Sequence, residues 1–532
     1  ALIGTNAAAK DLPRVEQNGA VAQLIVDGAP YLILGGELHN SSPSSPPYMG
    51  PIWDKLARNN VRTVIGAASW ELIEPDPGRF DFSAVDEQIR QARARGIRLI
   101  LIWFGAFKNA ESTYAPSWVR RDEERFPRAR RDPGAKLQGI ASFLRNGVAL
   151  SVFNDRLVDA DARAFAALMR HVREADKDQT VIMVQVENEV GLIGDSRDRS
   201  SLANRAWSQP VPTDLIRYLQ QNRAKLRPQL RDTWGRNGYL TSGTWAQVFG
   251  TDKAADEVFM AWGFGRYVER VARSGAEQYR LPMYANAWLG PQPKSPEPGD
   301  YPSGGPVARM MDVWKAAAPT LAFLSPDVYI DDFEGALADF HRADNPIFVP
   351  EARPVTGNLF VALGRHKAIG FSPFGIEDVP DNHDLFKAYR ALNTMLPSIV
   401  RAQQEDRIRG FKTATGRMEK LTLGRYEIMV MGPRSSEGFA GAGTGSAAAE
   451  NLEGYGLIIQ TGEDEFLVIA RGASLQFSSA DSQVEVDWAQ EGTLERGQWV
   501  PGRTLNGDER HSMFPQDALR LVKVRLLRRT TN

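Results

Sequence analysis

The chain contains no cysteine. Disulfides, thiolate metal sites and a cysteine nucleophile are therefore excluded. Histidine is scarce too: the six residues are His39, His171, His341, His366, His383 and His511. None has the i, i+4 spacing of a zinc hydrolase helix, so no metal site is expected. A G-x-S-x-G elbow and a phosphate-binding Gly-rich loop are both missing, which removes the usual serine hydrolase and nucleotide-binding readings. Charge of one sign is also lacking. Lys and Arg number 64 against 65 Asp and Glu, giving a net charge of −1. With no dominant basic patch, nucleic acid is not an expected partner. No apolar run is long enough to span a membrane.

What is present is an ordinary globular composition over 532 residues, 42% hydrophobic and 24% charged. That length suits one large barrel with a smaller module. The opening segment ALIGTNAAAK reads like the start left by a removed signal peptide, so a periplasmic or extracellular location is expected. Through the first three quarters, short apolar runs alternate with helical patterns, as βα units do. The runs are 31–38, 61–68, 97–104, 180–187, 282–288, 321–330, 346–351 and 367–374. Eight is the strand count of a TIM (β/α)₈ barrel. The segment 258–279 begins like a ninth strand, but its length, its charges and Gly275 near its end predict a helix. A helix over 381–406 would close the barrel domain, residues 1–406 including an N-terminal extension. The Pro/Gly-rich stretch 291–306 follows the fifth strand, on the barrel face where active sites are built.

Beyond residue 406 the helical pattern stops. The runs LTLGRYEIMVMG, YGLIIQTG, DEFLVIARG, ASLQFSS and ALRLVKVRLLR predict an all-β sandwich or jelly-roll domain over 407–532. Within it, the low-complexity segment 435–450 is expected to be a mobile loop.

Two carboxylates stand out by position. The fourth strand ends VQVENEVG, with Glu187 and Glu189 on one face by the period of two. The seventh ends FVPEAR, placing Glu351 at its tip. The ends of strands four and seven face each other across a barrel mouth. Retaining glycoside hydrolysis needs two carboxyl groups flanking the anomeric carbon, about 5–5.5 Å apart. The bland alternative for either residue is a surface carboxylate in a βα loop. For Glu187 the alternatives are a buried supporting group or the acid itself.

Four ordered segments carry a family resemblance. ENE followed by Val-Gly resembles the acid/base motif of the glycoside hydrolase family 35 β-galactosidases, retaining (β/α)₈ enzymes of a large clan. GGELHN (35–40), SWELIEPDPGRFDFS (69–83) and FGAFKNAES (104–112) are similar to that family's first-, second- and third-strand segments. The family 42 β-galactosidases of the same clan, which share the Asn-Glu motif, are close behind. The resemblance implies Glu189 as acid/base and Glu351 as nucleophile, with no cofactor. It implies that Asn188 binds the sugar 2-hydroxyl, that Asn109 and Glu111 contact galactose, and that Tyr329 donates to Glu351. The substrate would be a β-galactoside oligo- or polysaccharide, and a homo-oligomer is compatible with the sequence. Three positions depart from the family: Ala67 and Asn40 stand where it has tyrosine, and Lys108 where it is apolar. The particular sugar is therefore open. A clan relative acting on another β-linked sugar, and a non-catalytic carbohydrate-binding barrel, remain as alternatives.

Sugar pockets also use aromatic platforms. Trp288, at the end of the fifth strand, is an expected one; Trp70, beside the EPDPG turn, either stacks on substrate or braces that turn, and Trp245 is a weaker candidate for a leaving-group contact. Trp103 and Phe104 are expected to fill the core, and Phe371 and Phe374 are further strand-end aromatics.

Overall fold

A computed structural model of the chain describes residues 11–18, 21–134, 149–433, 452–495 and 497–530. The segment 435–450, expected to be a mobile loop, lies outside the described residues.

The chain opens with a small antiparallel sheet of β1 (Arg14–Asn18), β2 (Val21–Val26) and β3 (Ala29–Tyr31). Asp27 and Gly28 join β2 to β3 with both φ angles positive, the geometry of the favoured two-residue hairpin turn. Eight parallel strands follow: β4 (Ile33–Glu37), β5 (Thr63–Ser69), β6 (Arg98–Lys108), β7 (Val181–Asn188), β8 (Met283–Trp288), β9 (Phe323–Asp327), β10 (Phe348–Val349) and β11 (Gly370–Phe371). Their order is β10-β11-β4-β5-β6-β7-β8-β9. A parallel bridge between Val328 and Ala352 joins the two ends into a closed barrel. Each of the eight sequence runs overlaps one of these strands, and β5, β6 and β7 extend beyond the C-terminal ends of theirs.

Barrel strands are covered by side chains inside and helices outside, so they read as near-continuous apolar runs. The interior is packed by Ile33, Ile65, Ile100, Ile102, Phe104, Tyr284, Phe323 and Phe348. Leu24 and Val26 of β2 join this cluster and plug one end of it. The segment around 258 is a helix, Lys253–Ala276. Its Asp252 cap accepts from Ala255 N at 3.0 Å, satisfying a free amide of the first turn. Gly275 lets the helix approach its neighbour, since a Cβ there would lie 2.2 Å from the Phe165 ring.

After the helix Asp384–Gln404 the chain turns all-β. One sheet is six-stranded, in the order β12 (Ile408–Ala414), β15 (Glu453–Gln460), β16 (Glu465–Arg471), β20 (Arg520–Thr530), β18 (Ser482–Glu495) and β19 (Gln498–Thr504). The other pairs β13 (Met418–Leu423), β14 (Tyr426–Met431) and β17 (Ser474–Ser479). Phe411, Ile428, Val430, Ile458, Val468 and Val522 are among the residues packed between them. The run 421–432 is thus not one strand but contains a tight turn, because Gly424, with φ +60°, turns the chain back on itself. β12, β18 and β19 give little apolar signal; most of β19 is exposed. The sandwich is not free of the barrel: Tyr455, Leu457, Ile459 and Ile469 belong to the same apolar cluster as the barrel's outer helices.

Candidate active site

The barrel strands bring their polar residues together at one end. Among them, four non-glycine residues of β6, β7 and the turns after them hold positive φ: Asn109 (52°), Ala110 (59°), Glu187 (62°) and Glu189 (45°). Such conformations cost of order 1–3 kcal/mol each and persist where the surroundings over-determine them, often at functional sites. Here the surroundings are backbone bonds between the two turns. Asn109 N donates to Asn188 O at 3.1 Å and Ala110 N to Glu189 O at 3.2 Å. The Asn-Ala-Glu and Glu-Asn-Glu segments are therefore locked edge to edge.

Glu351 lies two residues past β10 and is 7% exposed. Its two oxygens accept from three donors. Asn188 Nδ2 reaches Oε1 at 3.2 Å, Asn286 Nδ2 the same oxygen at 3.4 Å, and the Tyr329 hydroxyl Oε2 at 2.9 Å. Burial, then the Glu351 charge, push the Tyr329 phenol far up, so it stays a donor. Glu189 is 9% exposed. Its backbone N–H donates to Asn286 Oδ1 at 3.0 Å. Burial lifts its carboxyl to about 7, and the negative Glu351 pushes the same way, while Lys108 and a hydrogen bond with Asp327 oppose. Two carboxyls in one site, one oriented by three donors and the other held near half-protonated at neutral pH, form the division of labour that acid–nucleophile pairs use.

Three residues of this network were not singled out in the sequence. Asn286, on β8, donates to Asp327 Oδ2 at 2.7 Å as well as to Glu351, so one amide ties the fifth, sixth and seventh strand ends together. Asp327 ends β9 and is 3% exposed; burial and the charges of Glu351 and Glu189 hold it well above the usual carboxylate range. Glu37 ends β4 and is also raised, by burial first and Glu351 second, and its Oε2 finds no donor among the described residues. Glu37 lay inside the GGELHN segment, and Asp327 two residues before Tyr329. Their signal was a charge at the end of an apolar run.

Glu187 occupies the supporting position. It is fully buried, accepts from Phe107 N at 2.7 Å and Ala106 N at 3.2 Å, and is pushed well up by burial and then by Asp161. Asp161 in turn accepts from Trp103 Nε1 and the Tyr267 hydroxyl. This network fixes the backbone of the third and fourth strand ends from behind the site.

The expected platforms divide. Trp288 is partly exposed and leans on Ala110 and Ile193 at the mouth. The loop 291–306 closes this side, where Ser303 and Leu192 exchange two backbone bonds of 2.8 and 3.0 Å. Trp70 is not available to a sugar: it is fully buried, donates to Glu74 Oε2 at 2.8 Å and meets Trp118 edge-on. A tryptophan at the strand end turns outward here because the next residues form a helical turn that needs bracing. Trp245 is likewise buried, against Phe249 and Phe259. Trp103, Phe104 and Phe371 are core, and Phe374 meets His39 edge-on. Glu111 is partly buried, which raises its carboxyl, with Arg131 opposing. No group of three or more metal-ligating side chains is found among the described residues, and no described helix is long and apolar enough to cross a membrane.

Lys108 is a positioning residue. It is 8% exposed, and its ammonium donates 3.0 Å bonds to both Asn109 Oδ1 and Asn188 Oδ1. With each carbonyl so engaged, both amide N–H groups face away from it, and that of Asn188 faces Glu351. Lys108→Met should lower kcat/KM by about tenfold or more, the scale of a lost charge-assisted hydrogen bond. Because the cation lowers the Glu189 pKa, its removal should also move the basic limb of the pH–rate profile upward. A profile that stays in place or moves down would refute the assignment.

A closed (β/α)₈ barrel with Asn-Glu at the end of its fourth strand and a glutamate at its seventh has the site layout of the clan of retaining glycosidases. The model of glycoside hydrolase family 42, described as beta-galactosidase, matches residues 52–249, which hold Glu189 but not Glu351. The match is to family 42, not to family 35. A domain model of unknown function matches residues 385–515. No curated protein matches the chain. Solved structures similar to it include a β-galactosidase from Rahnella sp. R3, at 15% identity and TM-score 0.44, covering 69% of this chain and 56% of that one. A family 42 β-galactosidase from G. stearothermophilus has 14% identity and TM-score 0.45, covering 69% and 57%. The β-amylase catalytic domain from Paenibacillus polymyxa has 13% identity and TM-score 0.42, covering 68% and 98%. The chain spans about 56% of the length of the Rahnella β-galactosidase.

Proposed function

We propose that this chain is a retaining, β-galactosidase-like glycoside hydrolase that removes terminal β-linked galactose from an oligo- or polysaccharide. The observation that carries the reading is the unequal treatment of Glu189 and Glu351 in one hydrogen-bonded network. A Glu351 oxygen attacks the anomeric carbon while the bond to the leaving oxygen breaks, and the Glu189 proton goes to that oxygen. Esterified Glu351 is neutral. One of the two causes that raise Glu189 is then gone, and its carboxylate is the base that takes a proton from water as the water attacks the anomeric carbon and frees Glu351. The matching model supports family 42 rather than family 35. Both are β-galactosidase families of one clan.

The test is a panel of nitrophenyl β-glycosides: galactoside, glucoside, fucoside, arabinoside and glucuronide. The galactoside should turn over fastest, and proton NMR should show the β-anomer of the sugar appearing first. Release of the α-anomer would exclude retention. No turnover on any member would favour a carbohydrate-binding barrel, and a faster non-galactoside would reassign the sugar.

A further inference from the structure

The sandwich domain has no role in the chemistry above, yet it shares a cleft with the mouth face of the barrel. The cleft measures about 440 Å³, within the range of about 300–1,000 Å³ of small-ligand sites, which favour domain junctions. Three parts of the chain line it. Pro354 and Val355 follow Glu351 by three and four residues, and Asn382 and His383 follow the eighth barrel strand. Glu453 and Gln516 come from the sandwich. The cleft therefore lies beside the loops that leave the last two strand ends of the site.

Its chemistry is hydroxyl-directed and uncharged overall. Arg471 is paired with Asp384, and Glu453 with Lys412 at 3.4 Å, so the charges at the cleft cancel. This disfavours a sulfated or uronate ligand, for which cations would stand free. The polar groups left over are a donor and acceptors. His383 Nδ1 accepts from Leu385 N at 3.1 Å, which places the ring proton on Nε2 as a donor. The Gln516 carbonyl oxygen is buried beside Gly472 with no donor among the described residues, and its amide nitrogen reaches only Glu453 O, at 3.5 Å. Pro354, Val355 and Leu452 supply an apolar patch beside them. A pyranose ring has such a combination: hydroxyls at its rim and a C–H face.

We propose that this cleft is a second glycan-binding site, built jointly by the barrel loops and the sandwich, which holds neutral sugar units of the polymer from which galactose is cleaved. The proposal rests on the glycosidase reading and gives the C-terminal domain a substrate-binding task.

The experiment uses Gln516→Ala and Asn382→Ala, at partly exposed and exposed positions outside the catalytic network. Turnover of nitrophenyl β-galactoside, which carries a single sugar unit, is measured first. Affinity electrophoresis of the full chain carrying Glu351→Ala is then run against pectic galactan, arabinogalactan, β-glucan and mannan, with and without each cleft substitution. Nitrophenyl turnover should be unchanged in both cleft variants. Retardation by at least one of the neutral polymers should weaken about fivefold for each hydrogen bond lost. Retardation that the cleft variants leave intact would overturn the proposal, as would no retardation by any of the four polymers. Failure of the parent to turn over any nitrophenyl glycoside would instead strike the glycosidase reading itself.

Discussion

Glu351→Ala should reduce turnover of nitrophenyl β-galactoside by about 10⁴-fold or more, the scale on which removing a covalent nucleophile acts. Asn188, Asn286 and Tyr329 all aim donors at this one carboxyl, so its oxygens are held in one orientation. Small anions offer a sharper readout than loss alone. With the carboxyl gone, azide can occupy its place and attack the anomeric carbon from that side, giving the α-azide of the sugar. Recovery of a β-azide, or an undiminished rate, would remove Glu351 from the nucleophile role. Glu351→Gln supplies a second measurement in a folded protein. It deletes the negative charge that raises Glu189, so carboxyl-carbon NMR should find the Glu189 titration moved downward.

Glu189→Ala should show a rate loss that depends on the leaving group. For a poor leaving group, such as a sugar, the loss should be about 10²–10⁴-fold, the usual contribution of general acid catalysis. For a dinitrophenolate, which leaves without a proton, glycosylation should be nearly intact. The slow step is then hydrolysis of the ester on Glu351, and azide should accelerate it and yield the β-azide. Equal losses on every leaving group would show that Glu189 is not the acid. In the unsubstituted enzyme the sign of the pH effect follows from the raised carboxyl. Glu189 must carry its proton to act first, so kcat/KM should hold below about pH 7 and fall about tenfold per unit above it. A basic limb that Glu189→Ala leaves in place for a poor leaving group would assign that limb to another group.

The barrel was legible because its signal is local. Each strand is a short apolar run that must be buried on both faces, and each helix repeats its own period, so eight runs could be counted without knowing how they meet. Glu189 and Glu351 were legible for the same reason: a charge at the tip of such a run has one place to go in a closed barrel. Glu351 also depended on 258–279 being a helix, which Asp252 caps and Gly275 allows to pack. The parts left open or missed are those whose meaning is set from outside. Trp70 sits at a strand end like Trp288, but Glu74 and Trp118 hold it in the core. β18 and β19 are half-exposed or exposed and stand out only once paired. Asn286, Asp327, Glu37 and Lys108 are far apart in the chain, and no local pattern says that one amide will bridge two carboxyls or that one ammonium will orient two asparagines. By itself, then, the sequence determined the barrel, the sandwich after it and the strand-end positions of the two glutamates, because burial and periodicity act over a few residues. Only the tertiary structure decided what raises the Glu189 carboxyl and which residues aim donors at Glu351. Both arise from desolvation and from hydrogen bonds between strand ends that come together only when the barrel closes.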